Sequence, residues 1–143
     1  MTVHLNGTRV EQDLNLLVQY LVGFGSDLLE RFGEFFPVGA YLDLTGEIVP
    51  LAVQGDNERP DSEEVIGQLK EEFYRLVQSG HARAWAIAFD ARIQSAEYPD
   101  GNDAVVAQTF HSLAEKQLQY TFPYILVEGS ADFAENWWAT YVD

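Results

Sequence analysis

The spacing of hydrophobic residues near the start of the chain predicts an amphipathic helix. Apolar side chains recur there at steps of three and four, the spacing that gathers them on one helical face. They are Leu14, Leu17, Leu21, Phe24, Leu28 and Phe32. Thr8 and Glu11 have the spacing of a capping box, and Gly33 is typical of a helix end. We therefore expect a helix from about Val10 to Phe32, kinked or broken near Gly25.

After this helix the pattern changes to a period of two. Residues 38–53 alternate on either side of Gly46, which predicts a β-hairpin, and Pro50 places the second strand at a sheet edge or a bulge. A second helical stripe follows and ends before Gly80. Its apolar members are Val65, Ile66, Leu69, Phe73, Leu76 and Val77.

Residues 81–93 have the pattern of a strand with alanine at every second position. The alanines are Ala82, Ala84, Ala86 and Ala88, and they alternate with Arg83, Trp85, Ile87 and Phe89. Because alanine is a poor strand former, we expect the alanine row to lie beneath a closely packed helix. Two further strands are predicted at about 103–111 and 116–127, with Pro123 at an edge. A short terminal helix capped by Ser130 is expected to follow.

These elements predict one α+β domain over residues 1–143. Its order is α-β-β-α-β-β-β, optionally closed by the terminal helix, with a five-stranded antiparallel sheet and the helices mainly on one face. This order resembles the profilin-like and roadblock- or longin-like folds, whose members are often binding or scaffolding modules. The segments Arg83–Arg92, Asp103–Val105 and Pro123-Tyr124 resemble those of small bacterial proteins without an established activity.

The amino-acid composition disfavours or excludes several classes of function. The chain holds 23 acidic against 8 basic residues, a formal charge of -15, which disfavours binding to nucleic acid or to anionic membranes. It has no cysteine, which excludes disulfides and thiolate metal sites, and we expect a cytoplasmic location. Such an acidic surface suits a basic protein partner, although solubility alone also explains it.

Four polar residues are candidates for a site. Asp90 and Arg92 fall on the alanine side of their strand, Asp103 begins the next strand, and His111 ends it. Together they would line one end of the sheet and bind a polar ligand or a metal; the alternative is ordinary ion pairing and capping. The sequence contains no recognised catalytic, nucleotide-binding or metal-binding spacing, so no cofactor and no metal is predicted.

A second set of candidates is aromatic. Trp85, Phe89, Phe110 and Tyr120 are predicted to contribute to an apolar surface on the sheet face away from the helices. This surface would be covered either by the tail, which carries Trp137 and Trp138, or by a second copy in a homodimer. The favoured hypothesis is a non-enzymatic protein-binding module, immunity- or antitoxin-like toward a basic partner or self-associating. The alternative is a small metal- or ligand-binding hydrolase that uses the polar candidates.

Overall fold

The computed structural model describes residues 9–52 and 61–142. These residues form two helices and seven strands. In chain order they are α1 (Arg9–Phe32), β1 (Val38–Asp43), β2 (Ile48–Leu51), α2 (Ser62–Gln78), β3 (Ala82–Ile93), β4 (Asn102–His111), β5 (Gln117–Val127), β6 (Ser130–Phe133) and β7 (Trp138–Val142). The α+β class and the antiparallel sheet are confirmed. Thr8 of the predicted capping box lies outside the described residues.

The strand count and the end of the element order differ from the prediction. The sheet runs β2-β1-β3-β4-β5-β6, and β7 also pairs with β5, which gives seven strands instead of five. The predicted terminal helix is wrong, because the residues after Ser130 form β6 and β7. In β7, the aromatic and β-branched residues Trp138, Thr140, Tyr141 and Val142 favour extended backbone over helix.

The central position of β5 explains how Pro123 is tolerated inside the sheet. The first half of β5 pairs with β7, from Gln117 to Thr121, and its second half pairs with β6, from Tyr124 onward. Pro123 lies between the two pairings, where a missing N–H costs least. The prediction of a sheet-edge position for Pro123 is therefore wrong, because β5 has partner strands on both sides and Pro123 lies between the two partners on one of them. By contrast, Pro50 does lie in the edge strand β2, as predicted.

Helix α1 is a single uninterrupted element, and its buried face differs from the predicted stripe in its second half. Leu14, Leu17 and Leu21 are buried as expected, but Phe24 and Phe32 are exposed. The buried face continues instead through Gly25 and Leu29. Gly25 leaves room for an aromatic ring, since a Cβ at this position would lie 3.0 Å from Cζ of Phe35. The helix ends before Gly33, whose φ of 74° fits a glycine terminator.

The alanine row of β3 lies under α1, as predicted. Ala84, Ala86 and Ala88 are fully buried and share one hydrophobic cluster with the apolar residues of α1. The expectation that both helices lie mainly on one face is wrong. On the opposite face of β3, α2 packs Phe73 against Trp85, with ring centroids 5.4 Å apart and the planes nearly parallel. The domain therefore has three layers, with α1 and α2 on opposite faces of the sheet.

Overpacking the alanine row tests the close approach of α1. Ala86 has no exposed surface, and it pairs across the sheet with Ala40 and Thr109. We expect Ala86→Leu to lower the free energy of unfolding by about 1–3 kcal/mol, because the added carbons force α1 or the sheet to move. Urea denaturation measures the loss. The control is Ala96→Leu in the exposed β3–β4 connection, and an equal loss in both variants would contradict the packing described.

Candidate functional site

The structure brings three of the four polar candidates together. Arg92 pairs across the sheet with Asp103, and its Nη1 donates to Asp103 Oδ1 at 3.2 Å. Asp90 lies two residues before Arg92 on the same face of β3. His111 lies at the other end of β4, eight residues from Asp103 and therefore about 26 Å away along an extended strand. A site that needs all four side chains is therefore not assembled.

Among these three residues, Asp90 differs from the other two because its carboxyl group is partly buried and accepts a hydrogen bond from a tyrosine. The hydroxyl of Tyr124 donates to Asp90 Oδ1 at 2.6 Å. Burial raises the pKa of Asp90, and the negative charges of Asp103 and Glu34 raise it further, against the opposing hydrogen bond from Tyr124. Arg92 and Asp103, in contrast, have side chains 63% and 51% exposed, so their pair is a solvated surface contact. The carboxyl of Asp90 thus fixes Tyr124 at the end of the sheet.

His111 belongs to a different, buried cluster at the opposite end. Its Nε2 donates to Asp13 Oδ2 at 2.8 Å, and its Nδ1 accepts from the Leu113 N–H at 3.1 Å. Arg83 Nη2 donates to the other oxygen, Asp13 Oδ1, also at 2.8 Å. Because the Leu113 N–H fills Nδ1, the ring carries its proton on Nε2. Both nitrogens of His111 are engaged, so the cluster ties α1 to β3 and β4.

The charge state of Asp13 follows from its partners. Burial by itself would raise the pKa of the Asp13 carboxyl, but the hydrogen bonds from Arg83 and His111 and the charge of Arg83 outweigh it and hold the pKa below the ordinary value of 3.8. Arg83 also donates from Nη1 to the carbonyl of Leu44 at 3.3 Å. The cluster therefore joins a carboxylate on α1 to a guanidinium that also contacts the β1–β2 turn.

A β-bulge directs Arg83 toward α1. The sequence predicted, from simple alternation, that Arg83 lies on the same side of β3 as Trp85, the face that α2 covers in the structure. Pairing between β1 and β3 shifts, however, so that Leu42 pairs with Ala84 while Asp43 pairs with Ala82. Arg83 is the extra residue, and bulges of this kind redirect a side chain. Sequence reasoning missed the contact with Asp13 because a period of two contains no signal for a bulge.

The aromatic candidates divide between the two faces of the sheet. Cross-strand pairing places Trp85, Phe89 and Phe110 on the α2 side, and β7 places Trp138 there through its pairing with Thr121. Tyr120 faces α1 and contacts Trp137, with ring centroids 6.2 Å apart. The single aromatic surface predicted from the sequence is not formed, because Tyr120 lies on the face opposite to Trp85, Phe89 and Phe110.

Three segments of the chain meet where α1 terminates. They are residues 27–34, 90–103 and 128–135. Ser130 Oγ donates to Glu30 Oε1 at 3.5 Å, which places the β5–β6 hairpin beside α1. Asn136 donates to Glu97, which joins the β6–β7 and β3–β4 connections. We name the surface formed by these three segments the acidic end.

The acidic end carries more than half of the formal charge of the chain. Its segments hold ten carboxylates and two guanidinium groups, a net formal charge of -8 out of -15. The carboxylates belong to Asp27, Glu30, Glu34, Asp90, Glu97, Asp100, Asp103, Glu128, Asp132 and Glu135. Arg92 is paired with Asp103, which leaves Arg31 as the other cation of these segments. The negative charge is therefore concentrated at one end of the sheet.

Exposed hydrophobic side chains lie at the same end. Phe32 is the last residue of α1 and Phe36 lies four residues after it, and Ile125, Leu126 and Val127 form the end of β5. All five are exposed. Surfaces that combine exposed apolar side chains with a charged rim are typical of protein-interaction sites.

Comparison of the chain with protein-family models, with curated proteins and with solved structures found no match. A proposal about function must therefore be argued from the residues of this chain and their geometry. Neither helix of the described ranges has both the length and the apolar composition needed to cross a lipid bilayer. Among residues 9–52 and 61–142, no three histidine or carboxylate side chains gather in a way that would hold a metal ion.

The sequence contains part of the signal for the acidic end. Carboxylates are dense in residues 97–103 and 128–135, and a count along the chain finds them. The count does not show that these segments meet the end of α1. Their meeting depends on the direction of α1 along β3 and on the β5–β6 hairpin, which lies where the sequence predicts a helix.

Proposed function

We propose that this protein is a non-enzymatic binding module that engages a basic protein partner through the acidic end. The observation that supports the proposal is the coincidence of a net charge of -8 with five exposed apolar side chains on one surface. Opposite charge steers a basic partner toward the surface, and apolar contacts stabilise the complex once it forms. An immunity- or antitoxin-like protein that blocks a basic toxin is one specific form of this proposal.

The opposite end of the sheet provides a natural comparison. Its turns and the start of α1 contain five carboxylates and three cationic side chains, so it has little net charge. The carboxylates are Glu11, Asp13, Asp43, Glu47 and Glu115, and the cations are Arg9, Arg83 and Lys116. A basic partner is therefore expected to approach the acidic end in preference to this one.

Charge reversal at the two ends tests the proposal. The double variant Glu30→Lys and Asp132→Lys replaces two negative charges of the acidic end by two positive charges. The control, Glu47→Lys and Glu115→Lys, changes the net charge by the same amount at the opposite end. All four side chains are exposed. We expect wild type and control to capture the same basic proteins from a cell lysate at low salt, with roughly tenfold less capture by the acidic-end variant.

The dependence of protein capture on salt concentration distinguishes electrostatic attraction to the acidic end from non-specific adhesion. Capture by the wild type should fall as ionic strength rises, because salt screens charges separated by more than a Debye length. Quantitative mass spectrometry of the bound proteins measures both effects. The proposal would be contradicted if the two double variants lost the same proteins to the same extent, or if capture did not depend on the acidic end at low salt.

A further inference from the structure

Strand β7 has one open side in the sheet. On its other side it pairs with β5, where residues 138–142 run antiparallel to residues 117–121. Among residues 9–52 and 61–142, no further strand pairs with β7. The backbone N–H and C=O groups along the open side therefore point outward without a partner strand. A sheet edge of this kind is a template for pairing with another strand, unless proline, charge or a covering element prevents it.

The other edges of the described sheet carry features that hinder such pairing, and β7 does not. In β2, Pro50 cannot donate a backbone hydrogen bond. In β6, which has four residues, Asp132 is exposed within the strand. Strand β7, Trp138–Val142, contains no charged residue, no proline and no glycine. Because proteins use prolines, charges and short strands to keep edges unpaired, β7 is the edge of the described sheet that lacks this protection.

The two described helices pack mainly on other strands and leave β7 accessible. Helix α2 packs on β3, and β4 and β5 separate β3 from β7. The main contacts of α1 are with β1, β3, β4 and β6. Apolar side chains of β7 are accordingly open to solvent, with Tyr141 48% exposed and Val142 39% exposed. A second strand can therefore approach β7 in the plane of the sheet.

The sequence of β7 is complementary to a second copy of itself. An antiparallel pair centred on Thr140 is the register in which all the residues of both strands have a partner. It places the exposed Val142 opposite Trp138 of the second copy, and aromatic and β-branched side chains form favourable cross-strand pairs. On the other face it places Tyr141 opposite Ala139, whose side chain is too short to obstruct the tyrosine ring. Both exposed side chains gain apolar contact, and no charge enters the pairing.

The direction of the strands keeps the acidic ends of two paired copies apart. Antiparallel pairing about a twofold axis reverses the direction of every strand in the second copy. The acidic end lies at the Val127 end of β5, whereas β7 pairs with the half of β5 that begins at Gln117. The two acidic ends therefore point in opposite directions. Because salt screens charges more than about 8 Å apart at physiological ionic strength, the formal charge of -15 on each copy opposes this contact only weakly.

From these observations we propose that two copies of this chain associate through β7 and form a symmetric dimer with one continuous sheet. Pairing occupies the open edge of both copies, and the edges that remain are those with Pro50 and Asp132, so association stops at two copies. Because the paired strands are short, the interface is small, and we expect a dissociation constant on the order of 10 μM. The surface is separate from the acidic end, so dimerisation does not depend on the proposed function.

Sedimentation velocity at physiological ionic strength tests for the dimer. We expect the wild type to change from monomer to dimer as its concentration rises from about tenfold below to about tenfold above the dissociation constant. A wild type that stays monomeric throughout would overturn the proposal and would leave β7 as an edge for an extended segment of a different protein. Species that grow beyond the dimer at the highest concentrations would contradict closure at two copies.

A matched pair of variants locates the contact. Thr140→Lys places two like charges opposite each other at the centre of the paired strands, and we expect it to raise the dissociation constant by about tenfold or more. The control is Gln117→Lys, because Gln117 is exposed on the same face of the sheet but belongs to β5, one strand inward from the edge. The control should dimerise like the wild type. Equal dimerisation of the two variants would contradict a contact through β7.

Hydrogen exchange of the wild type gives a second readout that needs no substitution. The amide N–H groups of alternate residues in β7 point to its open side, so their exchange should slow as the protein concentration rises into the dimeric range. The amides of β2, at another edge of the sheet, are the internal control and should exchange at a rate independent of concentration. A dimer that leaves the exchange of the β7 amides unchanged would show that the copies meet elsewhere, and the proposal would be wrong.

Discussion

Replacing Asp13 by asparagine is expected to lower the free energy of unfolding by about 3 kcal/mol, the lower part of the range for breaking a buried ion pair. The side chain of Asp13 is only 6% exposed, and it is the shared acceptor for Arg83 and His111. Asparagine keeps the shape but removes the charge, so the guanidinium of Arg83 loses its counter-ion in a largely buried position. Chemical denaturation of the two proteins measures the difference.

The matched control is Asp103→Asn, which breaks the pair with Arg92. Because both of those side chains are more than half exposed, the expected loss is below about 1 kcal/mol. Losses of similar size in the two variants would show that the Asp13 cluster is no more stabilising than a solvated surface pair, and would contradict the geometry described for it.

The pH dependence of stability gives a second readout for Asp13. In the folded protein its pKa lies below the ordinary value of 3.8, so the unfolded chain binds the proton more readily. The stabilisation is therefore complete above that value and is lost as the pH falls through it toward the pKa of the folded state. Asp43, whose pKa is also lowered, contributes a slope of the same sign in both proteins. The difference between wild type and Asp13→Asn should accordingly shrink as the solution is acidified.

Truncating Phe73 to alanine is expected to cost about 3–5 kcal/mol, the usual loss for a large aromatic side chain removed from a core. Phe73 is 0% exposed, stacks on Trp85, and packs so closely on β1 that a Cβ at Gly39 would lie 2.9 Å from its ring. Removing the ring leaves a cavity between α2 and the sheet. Denaturation with urea measures the loss, and near-ultraviolet circular dichroism of Trp85 reports the lost stacking.

Tyr74→Ala serves as the comparison on the same helix. Tyr74 is adjacent to Phe73 but 66% exposed, so we expect a change well below 1 kcal/mol. This pair of variants tests the placement of α2 on the face of β3 opposite to α1. If Phe73→Ala were as stable as Tyr74→Ala, α2 would not be anchored by this ring.

Much of the fold was predictable because local patterns and tertiary packing agree. The alanine row of β3 could be assigned to a helix-covered face from residue size alone, and the structure confirms it at Ala84, Ala86 and Ala88. The positive φ of Gly46 and of Gly80, at 92° and 78°, likewise follows from the need for glycine in a tight turn and at a helix end.

The errors have identifiable physical causes. The apolar stripe of α2 predicts that one side of the helix is buried, but it does not specify which face of the sheet that side covers. The predicted face is therefore wrong for α2. The spacing of Phe133, Trp137 and Trp138 also fits a helix and therefore predicts one for the tail, whereas pairing with the long strand β5 stabilises β6 and β7 instead. Tertiary pairing overrides a weak local preference in such short segments.

The candidate polar site was harder to predict than the fold. Asp90 and Arg92 are two residues apart, and Asp103 pairs directly with Arg92, so a period-two strand pattern brings them together. His111 belongs to the same face of β4, but a strand of this length places its two ends far apart. Its partner, Asp13, is 98 residues distant in sequence, and nothing in the local pattern indicates that contact.

That separation of 98 residues has a consequence for synthesis on the ribosome. At 5–20 residues per second, about 5–20 s pass between the emergence of Asp13 and that of its histidine partner. During this interval the leucines of α1 have no completed sheet to cover them. The nascent chain is therefore expected to bind chaperones at its first helix, and ribosome-bound fragments that end before β4 should show this association most strongly.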